Sequence, residues 1–202
     1  MLCETRRVVR HCSPLLIEAL EKSLREQPND LLLRAKLLWF YHMNSIDDPS
    51  QMKFARHLLW LVKNFPEHAD IFASLMLTPS CFEAVTCEWE NQIAKNPGNV
   101  QILKNAAHFF CYGTQDFVRA EKYYLECISL AAANFKIQEG VSDFYSHAGQ
   151  IESDILSLEK AIIYSNQAIA LASDEQQKCR LRPRIAELTR ISEVMRSMAK
   201  QH

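Results

Sequence analysis

Apolar residues in this chain recur at steps of three and four. In 52–63, Phe54, Leu58, Leu61 and Val62 fall on one side of a helix. In 102–110, Ile102, Leu103, Ala106, Phe109 and Phe110 do the same. The stretch LLLRAKLLWFYHM at 31–43 is apolar on all but a narrow face. Alternation with a period of two, the mark of a half-buried strand, is absent over any useful length. Breakers punctuate the pattern at Pro28-Asn29, Asp48-Pro49, Phe65-Pro66, Pro79-Ser80, Pro97-Gly98-Asn99, Gly113 and Gly149. The segments between them run to roughly 10–18 residues, an ordinary helix length. The pattern predicts an all-α chain.

The prolines recur as well. EQPND at 26–30, NFPEH at 64–68 and KNPGN at 95–99 each follow an apolar helix and precede residues able to start another. One helix pair per roughly 30–40 residues is the period of a helical solenoid. The stretch NAAHFFCYGTQDFVRAEKYYLEC, Asn105 to Cys127, shows how such pairs would pack. Ala106 and Ala107 on the first helix and Ala120 on the second leave holes, and a large residue from the partner helix, such as Tyr124 or Phe110, fills them. A second copy follows: Val141, Ser142, Tyr145 and Gly149 match the first helix and turn, and Ala161, Ala168, Ile169 and Leu171 align with Ala120, Cys127, Ile128 and Leu130.

This order of large, small and aromatic residues, then glycine, then Ala–aromatic–small, resembles the tetratricopeptide repeat (TPR) family. Ala120 falls one place late, so the match carries one extra residue. The resemblance covers roughly 28–172 and is best in the last two pairs. It implies a right-handed superhelical solenoid of antiparallel helix pairs. The expected organisation is one domain over 1–202, with a leading helix at 14–27 and helix pairs at 28–66, 67–97, 98–133 and 134–172. A capping helix is expected at 173–202. There, Ser173 and Gln176 predict a capping box, and Pro183 suits a first turn. Ile185, Leu188, Ile191, Met195 and Met198 form a stripe that would cover the last pair. The same stripe could instead join two copies in a homodimer.

Composition narrows the function. Of 202 residues, 48% are hydrophobic and 23% charged, with a formal net charge of −1, so no global field favours nucleic acid, membrane or acidic substrates. The four glycines, Gly98, Gly113, Gly140 and Gly149, lie too far apart for a phosphate-cradling loop. Seven cysteines without a CxxC read as buried thiols in a reducing, cytoplasmic or nuclear compartment rather than as a disulfide framework. Arg6, Arg7 and Arg10, with no sustained apolar stretch, do not make a secretory signal; an organelle presequence is the alternative.

Chemistry is sparse. His108 and Cys111 share a helical face, but two ligands do not make a zinc site, and Cys81 with Cys87 is no better spaced. His42, His57, His68 and His147 read as capping or surface groups, and Asp47-Asp48 before Pro49 as turn formers. No nucleophile elbow, HExxH or carboxylate pair appears, and no cofactor or metal is expected. The resemblance implies a non-catalytic scaffold or adaptor that binds a partner's peptide on a concave face. The groove residues it implies are Trp39, Gln101, Lys104, Asn105, His108, Lys136, Glu139 and Asp143. Lys104-Asn105 is similar to the pair with which some TPR domains clamp a terminal carboxylate, although Glu139 and Asp143 would repel one. The alternative is a ribonucleoprotein adaptor using Arg180, Arg182, Arg184, Arg190 and Arg196, for which binding would weaken steeply with salt. The weakest reading is a helical-repeat enzyme, which would carry a deep pocket with perturbed titrating groups.

Overall fold

The computed structural model of the chain describes residues 14–43, 48–72 and 79–199. Every regular element among them is helical. In chain order they are α1 (Pro14–Glu26), α2 (Leu31–Met43), α3 (Asp48–Asn64), a 3₁₀ helix (Pro66–Phe72) and α4 (Pro79–Lys95). Next come α5 (Val100–His108), a π-helical turn (Phe109–Gly113), α6 (Phe117–Ala131), α7 (Phe135–Ile151), α8 (Ile155–Leu171) and α9 (Glu175–Ala199). The described residues therefore form the expected all-α class. Arg6, Arg7, Arg10, Cys3, Cys12 and Asp47 lie outside them, as does the side chain of Cys81.

Short polar side chains set the helix starts. Asp30 accepts from the Leu33 N–H at 2.9 Å to cap α2. Asn99 accepts from Gln101 and Ile102 N–H at 3.1 and 3.2 Å to cap α5. Asp116, Asn134 and Asp154 do the same for α6, α7 and α8. Each satisfies donors that a first turn leaves without a helical acceptor. In α9 the cap is displaced from the expected Ser173–Gln176 box. Asp174 accepts from the Gln177 N–H at 2.8 Å, and Gln177 Oε1 accepts from the Ser173 N–H at 3.1 Å. Pro183 lies inside the 25-residue α9 rather than in its first turn. The carbonyl it leaves without a helical donor belongs to exposed Cys179, where water can serve it. Asp48 and Pro49 open α3 instead of forming a turn.

Contacts divide the chain into two compact units, residues 1–97 with 112–114, and residues 98–111 with 115–202. In the first, α1 packs on α2, α2 on α3, and α3 on the 3₁₀ helix and α4. Its core holds Leu37, Leu38, Phe54, Leu58, Leu61, Val62 and Trp89, all at most 2% exposed. Burial of this apolar surface is the main stabilising term. The stretch IFASLMLTPSC, expected as a short first helix, lies mostly outside the described residues: the 3₁₀ helix ends at Phe72 and α4 starts at Pro79.

In the second unit α5, α6, α7, α8 and α9 each pack on the next, and α5 also touches α7. Ala106, Ala107, Ala120, Cys127, Ala161 and Ala168 are all 0% exposed, as the alternation of small and large residues predicts. Aromatic rings run across the packed helices: Tyr124 to Phe144 at 5.4 Å, Phe144 to Tyr145 at 4.8 Å, and Tyr145 to Tyr164 at 5.6 Å. The extra residue counted before Ala120 coincides with the π-helical turn, which inserts one residue into a helix. Gly149 lies within α7 and is not a breaker. A Cβ there would stand 3.0 Å from the Asp154 carbonyl oxygen and from Leu158, so the glycine permits a close approach of α8.

Candidate functional site

Gln101, Lys104 and His108 are half-buried on one face of α5, at steps of three and four. Lys136 is exposed, and Glu139 and Asp143 half-buried, on one face of the adjoining α7. Asn105 does not join them. It is 0% exposed, and its Oδ1 accepts from Gln101 Nε2 at 2.7 Å, so it cannot clamp a carboxylate beside Lys104. Trp39 is 7% exposed, edge-on to His42 at 5.9 Å. It is a core residue, because α2 is apolar on most faces and packs between α1 and α3.

The acidic pair on α7 is neutralised from within. Lys136 Nζ lies 3.1 Å from Glu139. Arg180 of α9 also pairs with Glu139, and Arg184 pairs with Asp143. Arg196 pairs with Glu159 of α8. Arg182 meets Glu175 at 2.6 Å, and Arg190 meets Glu187 at 2.7 Å. Every arginine of the expected basic tail thus faces a carboxylate. The expected stripe on α9 is only partly sealed: Leu188 is buried, Ile185, Ile191 and Met195 are half-buried, and Met198 is 58% exposed.

A second constellation, not singled out in the sequence, lies between α1, α2 and α3. His57 is neither a cap nor a surface group; it sits mid-helix and 2% exposed. Its Nδ1 lies 3.3 Å from Arg34, which also donates to the Pro28 carbonyl at 2.7 Å. With Arg34 as donor, His57 carries its proton on Nε2, 3.4 Å from Glu21 Oε1. The same oxygen accepts from the Tyr41 hydroxyl at 2.7 Å. Burial pushes the His57 imidazole down to about 4, against the pull of Glu21. Burial alone would raise the Glu21 carboxyl, but the bonds from Tyr41 and His57 outweigh it and hold it below the ordinary range.

The arrangement recurs in the second unit. Glu121 of α6 accepts from the Tyr145 hydroxyl of α7 at 2.7 Å. Tyr145 stacks on Tyr164 of α8 at 8°, as Tyr41 stacks on His57 at 9°. Lys160 lies 4.7 Å over the Tyr145 ring, and Lys53 lies 5.3 Å over the Tyr41 ring. In each case the lysine precedes the stacked ring by one helical turn. The sequence hides this likeness because Glu21 and Tyr41 are 20 residues apart, and Glu121 and Tyr145 are 24.

The remaining candidates are placed as follows. Cys111 and Cys127 are buried, and Cys127 Sγ donates to the Val100 carbonyl at 3.7 Å. Burial pushes the Cys127 thiol up to about 12. Cys87 and Cys179 are exposed, so the thiols are not uniformly buried as expected. His147 meets the Phe117 ring edge-on at 6.0 Å, and burial lowers its pKa. Among the described residues, no three His, Cys, Asp or Glu side chains are grouped to hold a metal ion. No described helix is long and apolar enough to cross a membrane. No protein-family model, curated protein or solved structure matches the chain.

Proposed function

We propose that this chain is a non-catalytic interaction scaffold built from TPR-like helix pairs, and that α5 and α7 hold a segment of a protein partner. The observation that carries this reading is the recurrence of Glu21–Tyr41–His57 as Glu121–Tyr145–Tyr164, each with a lysine over the tyrosine ring. Two helix triplets with the same tertiary contacts are what a tandem repeat produces. The contact of α5 with α7 adds support, because first helices of successive pairs lie side by side in such arrays.

The segment would meet Gln101, Lys104 and His108 on α5 and Lys136 on α7. Glu139 and Asp143 add hydrogen-bond acceptors whose charge α9 offsets. Such a mixed polar face suits an extended or helical peptide better than a bare carboxylate. The paired arginines of α9 favour a protein partner over nucleic acid, since phosphate contacts need free cations.

Affinity capture from a native lysate, read by mass spectrometry, tests the reading. Wild type is compared with a Lys104→Glu/His108→Glu variant whose helicity is checked by circular dichroism. Loss of a protein partner from the variant is the expected result. Equal capture by both forms, or capture abolished by nuclease, overturns it.

A further inference from the structure

The α1–α2–α3 cluster leaves part of its charge unanswered. A cleft of 380 Å³ is lined there by Ile17, Tyr41, Glu18, Glu21, Arg25, Lys53 and Arg56. An adjoining hollow of 320 Å³ shares Glu21, Arg25 and Arg56 and reaches Arg34 and His57. Four cations, Arg25, Arg34, Lys53 and Arg56, thus face two carboxylates, Glu18 and Glu21. The buried groups are already committed. Glu21 takes Tyr41 and His57, while Arg34 is held by the Pro28 carbonyl and the Trp60 ring, 3.8 Å away.

Arg25, Lys53 and Arg56 remain exposed at the cleft, with Lys53 over the Tyr41 ring and Arg56 acting on Glu21 only through its charge. No carboxylate among the described residues forms an ion pair with any of them. The second unit shows what a closed version looks like: Lys160, the counterpart of Lys53, pairs with Glu121 at 3.1 Å. There the α9 arginines are likewise matched one by one. In the first unit His57 takes the place at the carboxylate, and the cations turn to the cleft. The Arg56 charge is felt by Arg34, whose pKa is lowered by burial first and then by Arg56.

We propose that this cleft binds a phosphate group through Arg25, Lys53 and Arg56. Two guanidinium forks and an ammonium match the oxygens and double charge of a phosphate better than a single carboxylate does. The cleft is within the size range of small-ligand sites and has an apolar wall at Ile17 and Tyr41, which suits a phosphate carried on an organic residue such as a phosphorylated side chain. Glu18 opposes the anion and sets a sign that can be tested. This inference uses the first unit only and is independent of the α5–α7 reading.

The test is a titration of the full chain followed by ³¹P NMR, using inorganic phosphate, O-phosphoserine and phenyl phosphate, with single-stranded RNA as competitor. Binding of phosphate probes is expected to weaken roughly tenfold in Arg56→Gln and in Arg25→Gln, the cost of a lost charge-assisted bond. It should strengthen in Glu18→Gln and stay unchanged in Arg190→Gln. Phenyl phosphate binding more tightly than inorganic phosphate identifies a phosphorylated side chain as the source; equal binding identifies free phosphate. Absence of saturable binding, indifference to both arginine variants, or tighter capture of RNA by the same arginines overturns the proposal.

Discussion

Arg184 of α9 is ion-paired with Asp143 of α7, and Arg180, one turn earlier, with Glu139. The terminal helix is therefore tied to α7 by charge as well as packed on α8. Both pairs are partly exposed, so each is worth about 1 kcal/mol or less. Arg184→Asp should lower the unfolding free energy from urea denaturation by about that amount, and Asp143→Arg/Arg184→Asp should restore it. The loss should shrink in high salt. A swap no better than the single reversal would show that the pair does not hold α9.

His57 makes stability depend on pH. Its folded pKa of about 4 lies below the ordinary 6.5, so the unfolded chain binds the proton more readily between those values. The contribution is complete above pH 6.5 and is lost as pH falls toward 4, at a slope of up to about 1.4 kcal/mol per pH unit. Glu21, held below its usual range, adds a loss of the same sign that begins as pH falls through the ordinary carboxylate range. His147, also depressed, contributes with the same sign. Thermal melts of wild type and His57→Gln across pH 4–7 should diverge in slope, with the variant flatter.

Two glycines of α7 should respond oppositely to alanine. At Gly149 the added Cβ meets the Asp154 carbonyl and Leu158 at 3.0 Å, and the backbone oxygen cannot easily yield. Gly149→Ala should cost about 1–3 kcal/mol, as overpacking does. At Gly140 the nearest atom is Tyr124 Cε1 at 3.5 Å, an ordinary contact. Gly140→Ala should stabilise by about 0.5–1 kcal/mol through helix propensity. Chemical denaturation of both variants decides this, and equal shifts would refute the close approach at Gly149.

Ser142 and Ser165 bond across α7 and α8 with their oxygens 2.5 Å apart, while Ser142 donates to the Ala161 carbonyl at 2.8 Å. Both residues are 0% exposed. Ser142→Ala leaves the Ser165 hydroxyl without its acceptor and should cost about 1–3 kcal/mol. Ser142→Ala/Ser165→Ala should cost less than the sum of the two single changes. Additive losses in denaturation midpoints would mean the hydroxyls act separately.

By itself the sequence determined the helices and much of the core. Those depend on local signals: apolar residues at steps of three and four, Asx residues at helix starts, and prolines at boundaries. The small residues Ala120, Cys127, Ala161 and Ala168 were legible as packing positions because close helix approach admits little else. Tertiary structure decided what each polar group faces. Trp39 and Asn105 had spacing compatible with a groove, but neighbouring helices bury both. The arginines of α9 read as a basic tail because their carboxylates lie on other helices or at unremarkable spacings on the same one. Glu21, Tyr41 and His57 were invisible as a group, since three residues on three helices share no local pattern. Local order follows from neighbours along the chain, whereas a charge or a hydrogen bond is settled by whatever folding brings beside it.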